Sequence, residues 1–123
     1  MTIKAGKQTL ERTVHLPLSK SISNRLLLIN ALSNGRVKYT ELSDSDDTVL
    51  MADLLHQIAG GKEHNLFAQN AGTVFRFIIS YLAITPGKWI LDGDARMRQR
   101  PVGPLVEALN AIGADIQYPG EKG

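Results

Sequence analysis

The chain has 123 residues, 43% of them hydrophobic and 21% charged, with a net charge of +2. That composition describes one globular domain, or a piece of one, with enough apolar residues to bury a core. The absence of cysteine excludes a disulfide framework, a thiolate zinc site and a cysteine nucleophile.

The same lack of cysteine makes a cytoplasmic setting the expectation, and residues 1–8, without the apolar stretch of a signal peptide, give secretion no support. Apolar runs such as residues 26–29 are far too short to span a bilayer, so no membrane partner is expected. A charge of +2 is compatible with small anions but too weak an excess to argue for nucleic acid.

In chain order, residues 13–16 read as a short extended stretch closed by Pro17. A helix follows, with Ile22, Leu26, Ile29 and Leu32 on its buried face, Ser19 or Ser21 as cap, and Asn34-Gly35 as stop signal. Residues 37–42 read as a strand. The acidic run Asp44-Ser45-Asp46-Asp47 opens a second helix that buries Leu50, Leu54 and Ile58 and ends at Gly60-Gly61. Residues 62–69 are polar and unpatterned, a loop with room for one short strand.

A third helix begins near residues 71–73, with Val74, Phe77, Ile78, Tyr81 and Leu82 sharing a face and Pro86-Gly87 stopping it. Residues 88–92 form the next strand, Gly93-Asp94 turn the chain, and residues 95–100 are expected to be extended. Pro101 suits the first turn of a fourth helix carrying Val102, Leu105, Val106, Leu109 and Ile112 and ended by Gly113. Residues 114–118 alternate as a last strand, and residues 119–123 form a polar ending suited to a linker. The two halves share a rhythm of strand, loop, helix, turn and strand, which predicts repeated α/β units with helices over one face of a sheet.

Three places concentrate chemistry. In Ser19-Lys20-Ser21-Ile22-Ser23-Asn24-Arg25, hydroxyls and two cations lie at a helix start, whose unpaired N–H groups and partial positive charge suit an anion. The same residues also read as a plain serine cap with solvated cations. It is not a Walker A loop, because the lysines after Gly6, Gly61 and Gly87 are followed by Gln, Glu and Trp. In Asn70-Ala71-Gly72-Thr73, with Arg76 one turn on, glycine lets a ligand approach the backbone while Asn70 and Thr73 offer hydrogen bonds; ordinary capping explains the letters equally well.

The third place is Arg96-Met97-Arg98-Gln99-Arg100-Pro101, whose alternate arginines would share one side of an extended segment, as an anion site or as a solvated basic edge. Arg100 stands out, beside a fixed proline and the positive end of the next helix. Asp44, Asp46 and Asp47 read as helix-start carboxylates, and His15, His56 and His64 lack the spacing of metal ligands, so no metal is assigned.

Together, residues 16–25, Asp44-Ser45-Asp46-Asp47, Asn70-Ala71-Gly72-Thr73 with Arg76, and residues 96–101 resemble the 5-enolpyruvylshikimate-3-phosphate synthase family, in the family's order and from Leu16 to Tyr118. The resemblance implies an inside-out α/β barrel of repeated units, with helices packed under a mixed sheet. It implies a shikimate-pathway reaction on the route to aromatic amino acids. The 5-hydroxyl of shikimate 3-phosphate adds to C2 of phosphoenolpyruvate and phosphate leaves, with no metal or organic cofactor. By resemblance, Ser21 and Arg25 hold shikimate 3-phosphate. Lys20, Asn70, Gly72, Thr73 and Arg100 line the phosphoenolpyruvate site, where the herbicide glyphosate also binds in the family, and Lys20 is catalytic.

Family members are several times longer and close two domains over the substrates. Residues 1–123 therefore correspond to part of the N-terminal domain, with the second domain as its missing partner. The acid/base carboxylates and a further phosphate-binding lysine belong to that other domain, so the isolated chain is expected not to turn over.

Some letters depart from the family pattern. Residues 47–70 are short for a β-hairpin common there, Leu18 replaces a common glycine, and Phe77 replaces a common proline, so inhibitor sensitivity does not carry over. The sister family acting on UDP-N-acetylglucosamine has Lys-Asn where this chain has Lys20-Ser21. Other readings are a small RNA-binding module using residues 96–100, or a purely structural domain.

Overall fold

The computed structural model describes residues 1–4, 6, 11–61 and 63–118. The polar ending at 119–123, and part of the leading segment 1–8, lie outside the described residues. Helix α1 spans Lys20–Leu32. Ser19 starts it from an extended conformation, its hydroxyl accepting from the Ile22 N–H at 3.4 Å. Asn34 and Gly35, with φ of 54° and 78°, end it in the left-handed region that a helix exit requires.

Helix α2 spans Asp46–Gly60 behind an N-cap at Ser45. Asp46 and Asp47 stand in its first turn, against the helix's positive end, and Asp44 lies exposed before it. The acidic run therefore works as a helix start.

Strand β1, Glu63–Phe67, helix α3, Gly72–Leu82, and strand β2, Lys88–Asp92, form a βαβ unit. The two strands pair in parallel, Glu63 opposite Lys88 and Phe67 opposite Asp92. Parallel pairing needs a crossover of about a dozen residues, which α3 and its loops supply. A short helix α4, Ala95–Arg98, and helix α5, Gly103–Ala111, follow. The chain is thus α/β with a small parallel sheet.

Its core joins Leu27 of α1, Met51, Leu54 and Ile58 of α2, Leu66 of β1, Ala68, Ala71, and Val74 and Ile78 of α3. Each large side chain there contributes about 1.5–3 kcal/mol through removal from water.

Several expectations give way. Residues 13–16 form no strand and are exposed. In α1 the stripe Ile22, Ile29 and Leu32 is 61%, 49% and 49% exposed, and the buried positions are instead Ser23, Asn24 and Leu27. Small polar side chains let α1 lie close to the neighbouring segment, where the Ser23 hydroxyl accepts the Ser43 N–H at 2.8 Å. In α2, Met51 rather than Leu50 is fully buried, beside Leu54 and Ile58.

Residues 37–42 and 114–118 are not strands, because a strand needs a neighbour's ladder and none of the described strands lies beside them. Asparagine amides hold both segments instead. Asn30 Oδ1 accepts the Val37 N–H at 3.1 Å. Asn110 accepts the Ile116 N–H and donates to the Ile116 carbonyl, each at 2.9 Å. The same device after α1 and after α5 is the clearest trace of a repeated unit.

Residues 95–98 are helical rather than extended: Asp94 caps α4 by accepting the Met97 N–H at 2.8 Å, and Met97 is buried beneath. Pro101 precedes α5 by two residues, and Pro104 occupies its first turn.

Candidate functional site

The parallel pair decides where the site lies. Because β1 and β2 run side by side in register, the loops leaving their C-terminal ends emerge together, where open α/β sheets place ligands. The pairing continues past the strands: the Ala68 N–H donates to the Asp92 carbonyl at 2.8 Å and the Asp94 N–H to the Gln69 carbonyl at 3.0 Å. Gln69 turns with φ of 51°. A Cβ on Gly93 would stand 2.6 Å from Met97 and 2.7 Å from the Gln69 carbonyl, so only glycine lets the two loops approach this closely.

The result is a meeting of Gly72 with Arg100. Gly72 begins α3, and a Cβ there would lie 2.3 Å from Arg100 Nη1 and 3.0 Å from Arg76 Nη1. Two guanidinium groups thus cover one buried glycine at a helix start. Asn70 and Thr73 flank it and are exposed. The Arg100 side chain has no hydrogen-bond partner among the described residues.

The alternate arginines do not share a side. Arg98 forms a fork with Asp92, Nε to Oδ1 at 3.0 Å and Nη2 to Oδ2 at 2.6 Å, and is committed there. That hydrogen bond, aided by the Gly93 N–H, holds the Asp92 carboxyl below its usual range, and the same pairing raises the Arg98 guanidinium. Arg96 is exposed, so the basic strip is three separate environments.

At the start of α1, Lys20 Nζ lies 3.0 Å from Asp47 Oδ2, which joins the first turns of α1 and α2. Arg25 folds back, Nη1 donating to the Ser21 carbonyl at 2.9 Å and to the Ser21 hydroxyl. Its guanidinium also sits 5.6 Å above the Phe77 ring of α3. The Ser21–Arg25 end is therefore tied to α3, the helix whose first residue faces Arg100.

Sequence reading missed Asp47 as the partner of Lys20, Asp92 as the partner of Arg98, and Phe77 as the platform under Arg25. The signal for the second lay in Asp94 ahead of Ala95-Arg96-Met97, a capped helix start that brings Arg98 back toward Asp92. Among the described residues no group of three His, Asp or Glu side chains is placed to hold a metal, and no helix is long and apolar enough to cross a membrane.

A parallel α/β unit that brings a helix start and arginine side chains together at its strand ends has the chemistry that suits an anion. Residues 4–123 match EPSP synthase (3-phosphoshikimate 1-carboxyvinyltransferase), and the chain belongs to that family. It is 45% identical over 114 residues to a 3-phosphoshikimate 1-carboxyvinyltransferase of Bacteroides fragilis, covering 93% of this chain and 27% of the relative. It is 40% identical over 138 residues to that of Thiobacillus denitrificans, covering 96% and 32%. With the Cupriavidus taiwanensis enzyme the identity is 42% over 130 residues, covering 90% and 30%. The chain thus spans about a third of the length of the curated relatives it matches.

Proposed function

We propose that this chain supplies the first part of the N-terminal domain of a cytoplasmic enzyme that transfers the enolpyruvyl group of phosphoenolpyruvate to the 5-hydroxyl of shikimate 3-phosphate. The substrate oxygen bonds to C2 of phosphoenolpyruvate, the bond from C2 to the phosphate oxygen breaks, and phosphate departs. Both substrates are multiply anionic, and preorganised cations stabilise charge that shifts during such a transfer.

In this reading Ser21 and Arg25 hold shikimate 3-phosphate. Lys20, Gly72 and Arg100 surround phosphoenolpyruvate, with Asn70 and Thr73 adding hydrogen bonds, and Lys20 serves the chemistry directly. No cofactor, nucleic acid or membrane takes part. The observation that carries the reading is Arg100 against the Gly72 helix start, its side chain without a hydrogen-bond partner among the described residues.

The division into parts is supported by surface. On α1, Ile22, Ile29 and Leu32 are 61%, 49% and 49% exposed, an apolar stripe left open among the described residues. Further units of an inside-out barrel would cover Ile22, Ile29 and Leu32 and place strands beside residues 37–42 and 114–118. The isolated chain, lacking the other half of the site, then releases no phosphate from the two substrates.

NMR titration tests the binding roles. Shikimate 3-phosphate is expected to shift the amides of residues 20–25, and phosphoenolpyruvate those of Gly72 and Arg100. Unshifted signals in both places would overturn the assignment of the site, and normal turnover by the isolated chain would overturn the division.

A further inference from the structure

Arg76 lies one turn after Gly72 on α3, half-buried, and its two terminal nitrogens point to different parts of the chain. Nη1 donates to the Gly72 carbonyl at 3.0 Å, and Nη2 donates to the Pro101 carbonyl at 2.9 Å. The first contact is within the helix, whereas the second crosses 25 residues of sequence to the carbonyl of Pro101, the residue after Arg100. One rigid guanidinium fork therefore clips the start of α3 to the segment that carries Arg100.

Resting on the reading of the site given above, we infer that Arg76 is a positioning residue of the anion site: it fixes Arg100 over Gly72. Two of its five donors go to carbonyls, one from each terminal nitrogen, while the Arg100 side chain has no hydrogen-bond partner among the described residues. Two guanidiniums beside one glycine would repel if both were loose. Carbonyl acceptors hold Arg76 in place, and its charge favours an anion at Arg100 over a neutral ligand. A lysine cannot replace it, because a single ammonium on a flexible stem does not present two donors in a fixed fork.

The test uses the full 123-residue chain, labelled with 15N and titrated with inorganic phosphate, as wild type, Arg76→Lys and Arg76→Gln. Both variants are expected to weaken the phosphate response at Gly72 and Arg100 by about tenfold, while the response at Ser21 and Arg25 stays as in the wild type. Retention of the response in Arg76→Lys with loss in Arg76→Gln would show that charge alone matters and overturn the inference. So would an unchanged response in both variants, or loss of response at both ends of the site.

The wild-type chain gives a readout that needs no variant. A guanidinium bonded on both arms rotates slowly and shows resolved Nη signals for Arg76, and one averaged signal overturns the clip. A wild-type chain that ignores phosphate at every one of these residues removes the site itself. A wild-type response that the variants share removes only the role of Arg76.

Discussion

Replacing Gly72 with alanine separates binding from folding. The new methyl would stand 2.3 Å from Arg100 Nη1 and 3.0 Å from Arg76 Nη1, so the Arg100 guanidinium must retreat by about 1 Å and that of Arg76 by a few tenths of an ångström. Both obstructing atoms are the far ends of long side chains, and Gly72 lies outside the left-handed region, so alanine fits the backbone itself. The fold should therefore persist, with stability unchanged or raised by up to about 1 kcal/mol because alanine leaves the unfolded chain less freedom. Binding should suffer. A charge-assisted hydrogen bond from Arg100 to an anion is worth about 1.5–3 kcal/mol, so affinity for phosphoenolpyruvate should fall by about ten- to a hundredfold. Calorimetric titration beside urea unfolding measures both quantities on one sample. Equal affinity in the alanine variant would refute the placement of the ligand against Arg100, and a collapse of stability would refute the flexible retreat.

Other expectations are independent of that site or probe its far end. Leu54→Ala, at a side chain 1% exposed, should cost about 2–5 kcal/mol in urea unfolding through lost transfer energy and a cavity. Asp94→Ala removes the cap that accepts the Met97 N–H and should cost about 1 kcal/mol while loosening α4. Because the folded state holds the Asp92 carboxyl below its usual range, its pair with Arg98 stabilises at neutral pH, and that contribution fades as pH falls through the lowered value. Asp92→Asn should flatten the acid side of a stability-against-pH curve, and the exposure of the pair makes the change small. Lys20→Met breaks an exposed ion pair with Asp47 and should change stability by less than about 1 kcal/mol. The same variant should lose most phosphoenolpyruvate binding in calorimetry.

Helix α3 and strand β2 are legible because their signals are local, whereas β1 lies in a polar segment that reads as a loop with room for one short strand. Gly60-Gly61 and Pro86-Gly87 punctuate the chain, α3 carries an apolar face, and residues 88–92 form a strand at the expected bounds. What failed depended on neighbours. Ile22, Ile29 and Leu32 keep helical spacing, yet periodicity cannot say which stripe meets α2, and the closer fit of Ser23, Asn24 and Leu27 decides it. Residues 37–42 and 114–118 have strand-like letters without a strand beside them. At residues 95–100 alternate arginines suggested an extended strip, whereas the Asp94 cap and burial of Met97 favour a helix. Within the site, the closeness of Gly72 and Arg100 follows from parallel register, a long-range property that spacing does not contain. The Asp47 carboxylate facing Lys20 is hidden for the same reason, whereas the Asp94 cap is a local signal for Asp92 beside Arg98.

Grafting asks whether these residues serve as the anion-binding part of an enolpyruvyl transferase. This chain would replace the matching segment of the Bacteroides fragilis relative, and phosphate release from phosphoenolpyruvate and shikimate 3-phosphate would be followed. Turnover by the chimera is expected, with a fall in kcat/KM of at least about tenfold when Arg100 is changed to Met. A folded chimera that binds neither substrate, or one indifferent to the loss of Arg100, would contradict that role.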